Sequence, residues 1–272
     1  MAREKERTET SRFMGLVDLI IKKIWDISKI NVLTVAFYIP FVFVMIYVTR
    51  WFLPEVGRIE SLIYTPEDML LMEIIVRFAF GSILMTVPVV VLGPAAAGIT
   101  RLLEAMVTRK PFFFWSDFWE TFKKYFFKAL GISLISTIFL MIAGLAINFY
   151  VNVAEEFIPL LTGGLKLFVL VIIFLVLLLF YMAHLYVYQL LIHKKLSILK
   201  AYRYAFVFAV LRFVPNLLIL VACGLITVLP FYVHFLFGVV FYLFLSFGLC
   251  GTIINYFSWP AIHKHIAPML TK

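Results

Sequence analysis

The chain has 272 residues, of which 64% are hydrophobic and only 14% charged, with a mean hydropathy of +1.05 and a net charge of +9. A soluble domain carries about 25% charged residues, so this composition excludes a water-solvated globule and places the chain in a bilayer. The basic excess is spread over many segments, with no run dense enough to form a nucleic-acid-binding arm, and it suits anionic lipid headgroups instead.

In chain order, residues 1–29 read as a cytoplasmic and interfacial leader too long and too charged for a secretory signal peptide, so the first hydrophobic helix is expected to stay in the protein. Within it, SRFMGLVDLIIKKIWDISKI places Phe13, Leu16, Val17, Ile20, Ile24, Trp25 and Ile27 on one broad helical face. Asp18, Lys22 and Asp26 recur at four-residue spacing on the opposite face, where they can pair. This predicts an amphipathic helix in the membrane interface anchored by Trp25, with a partner-binding helix as the alternative. Residues 30–256 then contain six runs of the length that a helix needs to cross roughly 30 Å of hydrocarbon. They are Ile30–Val48, Leu70–Leu92, Ala129–Val151, Lys166–Leu191, Phe213–Leu229 and Phe231–Tyr256, and Pro230 marks an external turn between the last two, with a kinked continuous helix as the alternative. The runs are continuous and lack the period-2 alternation of barrel strands. The expected fold is an all-α polytopic membrane helix bundle forming one integral domain, 1–272, with amphipathic elbows and a cytoplasmic tail at 257–272.

Orientation follows from charge. Twenty of the 24 Lys and Arg residues lie in the leader, the second loop, the fourth loop and the tail, whereas Arg50, Arg58, Arg77 and Lys166 lie on or near the other side. The positive-inside rule therefore puts both termini in the cytoplasm of a multi-pass protein.

The segment VLGPAAAGITRLLEAMVTRKPFFFWSDFWETFKKYFFKAL, residues 91–130, follows the second run. Pro94 beside Gly93 predicts a bend, and Ala95, Ala96, Ala97 and Gly98 make a surface low enough for another helix to approach closely. Beyond an amphipathic stretch, Asp117 stands where a helix cap is expected. Phe118, Trp119, Phe122, Lys123 and Lys124 then interleave rings and ammonium groups, as an interfacial elbow does. The alternative is that Asp117 to Lys124 dock a partner. An offset of 80 residues aligns Phe122, Lys123, Phe126 and Ala129 with Tyr202, Arg203, Phe206 and Ala209, which suggests that both basic loops enter the next span by the same ramp.

Intramembrane polar residues are functional candidates because they cost free energy at depth. Glu73 and Arg77, four apart, read as an interfacial ion pair or the lining of an outward-facing cavity. His184, with Tyr181, Tyr188 and Gln189 on nearby turns, reads as a helix-to-helix hydrogen bond rather than a proton relay. Asn148, Asn216 and Asn255 take the same structural reading. Cys223 and Cys250, in separate apolar runs, read as small hydrophobes. His263 and His265 lack a third ligand, so neither metal nor cofactor is expected. No phosphate loop, HExxH or GxSxG occurs, and no acid–base pair is visible.

The order IWDISKINVL, a span, then GPAAAGITRLLEAMVTRKPFFFWSDFWETFKKYF resembles the YesL-like family of bacterial integral membrane proteins, domain of unknown function 624. The matching positions are Gly93, Pro94, Ala95, Arg109, Asp117, Phe118, Trp119, Phe122 and Lys123, and HKKLSILKAYRYAFVFAV resembles the family's fourth-loop region. Residues 51–80 look longer than the short hairpin of that family. The resemblance implies a bacterial plasma membrane location and an association with ABC-type carbohydrate uptake, with an ABC permease as partner. It supplies no catalytic or binding residue. By elimination the expected function is a noncatalytic membrane accessory protein rather than an enzyme. An autonomous small-solute carrier or channel, and a membrane enzyme acting on lipid or glycan, are the alternatives.

Overall fold

A computed structural model describes residues 2–52, 92–153, 163–193 and 196–266, and these are helical almost throughout, without a strand. Helix α1 spans Ala2–Phe52, α2 covers residues 92–107 and α3 covers Phe114–Lys124. Helix α4, Phe126–Asn148, ends in a π turn at Phe149–Val153. Helix α5 covers Gly163–His193, α6 Ile198–Leu211 and α7 Phe213–Val233. Helix α8, Phe235–Phe241, continues through a π turn at Tyr242–Ser246 into α9, Phe247–Ile266.

Five stretches among the described residues are long and apolar enough to cross a membrane: Phe13–Val44, Phe126–Val151, Gly163–Ile192, Phe213–Val233 and Phe235–Lys264. They correspond to five of the six expected spans. The remaining one, Leu70–Leu92, lies outside the described residues except for Leu92.

The leader is not a separate element. The first span and the amphipathic stretch before it form one helix, interrupted only by Lys23 at φ −116° and ψ 16°. Leu16, Leu19 and Ile27 are buried, whereas Phe13, Ile24 and Trp25 point outward, so the single apolar face expected is divided between bundle and surroundings. Asp18 pairs with Lys22 at 2.8 Å, but Asp26 pairs with Lys23 at 3.2 Å and Lys29 at 3.6 Å. The non-helical residue shifts the helical phase, so the four-residue ladder does not run through it.

Two further boundaries move. Pro230 lies inside α7, and the chain turns at His234, φ −165° and ψ 132°, from which α8 folds back so that Gly238 meets the Phe231 ring. A proline in the last turn of a helix forfeits one hydrogen bond without ending it. At the other end, α9 runs past Tyr256, and Ser258, Ala261 and Ile262 are buried, so the first part of the expected tail belongs to the core.

The interior has two parts. The larger joins α4, α5, α6, α7 and α9 through residues such as Ile132, Met182, Tyr186, Leu190, Ala205 and Ile262. The smaller packs Ile27, Ile30 and Leu33 of α1 against Leu102, Leu103 and Met106 of α2, with Phe118 of α3.

Candidate functional site

The basic loops meet at one end of the bundle. One cavity there is lined by Asp18, Lys22, Lys23, Arg109 and Lys110, and another by Arg101, Glu104, Lys110, Asp117, Glu120 and Lys124 together with Tyr125 and Ile192. The leader, both ends of the second loop and the start of the fourth loop are thus neighbours in space, although they are far apart in the chain.

Within this layer α2 is closely packed. Ala95 and Ala97 are buried, and side chains added at Gly93 or Gly98 would collide with neighbours. At Gly98 a Cβ would stand 2.6 Å from the Phe118 ring, so the small-residue patch serves the packing role expected of it. Gly93 and Pro94 occupy the first described turn of α2, and the span before them lies outside the described residues, as does the expected bend. The helix ends in a Schellman-type cap in which the Lys110 amide donates to the Ala105 carbonyl at 2.9 Å. Arg109 takes the left-handed conformation there, φ 55°, at a position where glycine is usual.

The docking candidates divide. Phe118 is fully buried in the smaller core, in ring contact with Phe37, Trp119 and Phe122, and is not available to a partner. The correction follows from Gly98, whose missing side chain admits that ring. Trp119, Lys123 and Lys124 are exposed, with Phe113, Trp115 and Phe127 beside them. Asp117 is not the N-cap. Phe113 holds that position, and Asp117 accepts the Phe113 amide from one turn inside at 3.2 Å, with the same electrostatic effect on the helix start.

Elbow and span meet at a single residue. Tyr125 separates α3 from α4 at φ −104° and ψ 9°, and Arg212 separates α6 from α7 at φ −118° and ψ 37°. Each donates its amide four residues back and accepts at its carbonyl from four residues forward, so the break residue itself keeps both helical hydrogen bonds. These two positions are the equivalent ones. The 80-residue offset is not the structural register, because Ala129 follows its break while Ala209 precedes its own.

Two tyrosines fasten the elbows. Tyr125 donates to the Ile192 carbonyl of α5 at 3.1 Å, and Tyr202 of α6 donates to the Ile132 carbonyl of α4 at 3.2 Å. Burial holds the Tyr125 phenol above its ordinary pKa, reinforced by the Glu104 charge and opposed by Arg101. Burial also raises Tyr202, offset in part by its hydrogen bond with Ser136.

Deeper polar groups join helices. His184 Nε2 lies 2.6 Å from Ser136 Oγ on α4, and His184 Nδ1 lies 3.1 Å from the Phe180 carbonyl. A carbonyl only accepts, so Nδ1 carries a proton, while the single Ser136 hydroxyl proton is within reach of both Nε2 and the Ile132 carbonyl at 2.7 Å. A hydroxyl–imidazole pair therefore exists where the sequence showed no acid–base pair, since its members are 48 residues apart. Both stand in mid-helix, where neighbouring amides belong to the helical ladder. The pair joins α4 to α5, and the Tyr202 hydroxyl of α6 lies beside it, 3.3 Å from Ser136 Oγ.

Gln189 and Ser258 join α5 to α9 at 2.6 Å, and Asn216 accepts from Tyr186 at 2.5 Å while donating to the Phe208 carbonyl at 3.1 Å. Asn31, which its short polar interruption of an apolar run marks in retrospect, clamps α1 to the π turn before α9. Its amide donates to the carbonyls of Tyr242 at 3.1 Å and Leu243 at 2.7 Å, and its oxygen accepts from the Gly248 amide at 2.9 Å. Cys223 and Cys250 are free thiols on facing helices. Glu73 and Arg77 lie outside the described residues, as does the side chain of Asn148. Among the described residues no group of three His, Cys, Asp or Glu side chains converges as a metal site would require.

Residues 27–152 match the family model described as a protein of unknown function, DUF624, consistent with the YesL-like resemblance. That range opens at the buried Ile27, takes in both elbow helices α2 and α3, and closes just beyond α4. No curated protein and no solved structure matches the chain.

Proposed function

We propose that this YesL-like membrane protein is a noncatalytic accessory subunit of the bacterial plasma membrane, with both termini in the cytoplasm, that assembles with an ABC-type carbohydrate permease. The observation that carries the reading is the use made of the intramembrane polar groups. Asn31, His184, Gln189 and Asn216 are each engaged in hydrogen bonds between helices. A carrier needs polar groups that exchange partners with a solute in the course of transport, and groups already holding the bundle together do not supply them. The distribution of basic residues supports the orientation. The exposed surface of Phe113, Trp115, Trp119, Lys123 and Lys124 is the contact face on this reading, with Phe118 behind it as support.

Two measurements test this. Purified protein in proteoliposomes should move neither sugars nor ions, and saturable flux would replace the accessory reading by a carrier. Co-expression with an ABC carbohydrate permease should give a complex that survives gel filtration in mild detergent and is lost with Trp115→Ala and Trp119→Ala while the variant remains folded. Failure of every tested permease to co-elute would remove the partner assignment.

A further inference from the structure

A third cavity at the basic end differs from its neighbours in charge. It has a volume of about 360 Å³ and is bounded by Val107 of α2, Arg212 at the break between α6 and α7, and Tyr256, Trp259, Ala261 and Lys264 of α9, with Phe257 and Pro260 completing the wall. Among the described residues no carboxylate lines it, whereas Asp18 lines one neighbouring cavity and Glu104, Asp117 and Glu120 line the other. Lys110 adds a third cation at its rim, with its ammonium group 5.9 Å from the centre of the Trp259 ring.

Arg212 is the fixed element. Its Nη1 donates to the Phe257 carbonyl at 3.1 Å, which orients the half-buried guanidinium, and a guanidinium has further donors to offer. Among the described residues, Arg212, Lys264 and Lys110 make no ion pair with a carboxylate. Arg212 and Lys264 line this cavity with no carboxylate of the described residues beside them, and like charges so placed are relieved by an anion that accepts from them, whereas Lys110 at the rim also lines the two acidic cavities. The remaining wall is apolar and aromatic, as suits a ligand with a charged head beside nonpolar matter.

We propose that this cavity binds a phosphate group, held by Arg212 and Lys264 with Lys110 at the rim and Trp259 as the wall. Its place where the candidate spans begin at Phe213 and end at Lys264 points to the headgroup of an anionic phospholipid as the source. A soluble phosphate is the other source of the same chemistry. The site does not depend on the accessory reading.

The test is native mass spectrometry of the full chain in detergent with phosphatidylglycerol or phosphatidylcholine, alongside thermal melts with inorganic phosphate. Phosphatidylglycerol should be retained preferentially, and Arg212→Gln and Lys264→Gln should each reduce retention by about tenfold, as expected from losing a charge-assisted hydrogen bond. Arg203→Gln, an exposed position on α6, should not. Because Arg212 also fixes α9, Arg212→Lys is included: it keeps the charge, and Lys264→Gln tests the site without touching that hydrogen bond. Stabilisation by inorganic phosphate that is lost in Lys264→Gln, without lipid selectivity, supports the phosphate site and assigns it a soluble ligand. Equal retention of the two lipids together with no phosphate response, or phosphatidylglycerol retention unchanged in Lys264→Gln and Arg212→Gln, overturns the proposal.

Discussion

Replacing Asn31 by Leu keeps the branched shape of the side chain and removes the three hydrogen bonds that tie α1 to the start of α9. Asn31 is fully buried, so no water replaces them. Interhelical hydrogen bonds in a bilayer contribute about 0.6 kcal/mol each on average and up to about 1.7, and a stranded buried amide adds about 1–3. With three bonds lost at the average value and the Gly248 amide stranded, the loss is about 3–5 kcal/mol. For a protein of this size that is a fall in melting temperature of about 6–20 °C. The assay is thermal unfolding in detergent followed by tryptophan fluorescence, with Gly248→Ala as the companion variant, since a Cβ there would stand 2.5 Å from the Ile27 carbonyl. Both changes loosen the same junction, so the double variant should lose less than the sum of the singles. An Asn31→Leu protein that melts with the parent, or strict additivity, would refute the clamp.

Phe118→Ala should cost about 3–5 kcal/mol, as core aromatic truncations do, whereas Trp119→Ala one position along should leave the melting temperature near that of the parent. Gly98→Ala should destabilise by driving a methyl group into the Phe118 ring, and the cavity left by Phe118→Ala should relieve it; equal penalties in both backgrounds would contradict the packing. Tyr125 and Tyr202 have phenols raised above 10.0 in the fold, so the unfolded chain releases these protons first and stability falls as pH rises above that value. Tyr125→Phe should be less stable at neutral pH but show a shallower alkaline decline, which melts across pH 8 to about 11 can measure. Tags at residues 60 and 160 should be labelled from outside intact cells, and protection of either would reverse the proposed orientation.

Five of the six spans are legible because a helix long and apolar enough to cross a bilayer is defined by length and composition, which are local properties. The turn between α7 and α8 was not, because it depends on how Gly238 seats against Phe231 after the chain reverses, and Pro230 was only the nearest visible breaker. Phe118 and Trp119 are adjacent rings of the same character, and their sequence gives no sign of which faces inward. That choice is made by Gly98, twenty residues earlier, whose spacing from Phe118 has no helical meaning. His184 was recognised as a polar group in need of a partner, but Ser136 and Tyr202 lie on other helices and carry no pattern that would pair them with it. Asn31 stands at the start of a span, and nothing local to it points to the π turn before α9 that it satisfies.

Lys23, Tyr125 and Arg212 share one sparsely populated backbone conformation, between helix and extended, and each stands where an amphipathic helix enters or joins an apolar one. An elbow held only by lipid would leave such a residue free to straighten. Here the bends are secured from elsewhere in the chain: Tyr125 fastens to α5, Tyr202 on the second elbow helix fastens to α4, and Arg212 fastens to α9. The elbow before α4 is thus tied to the helix after it, and the elbow after α5 to the helix before it, so neither swings independently of the bundle. The exposed rings of α3 therefore belong to a rigid surface, backed by Phe118 and the α1–α2 core. A contact made at Trp119 meets a preformed face and loses little entropy in ordering it, the condition under which a small aromatic patch contributes most to binding.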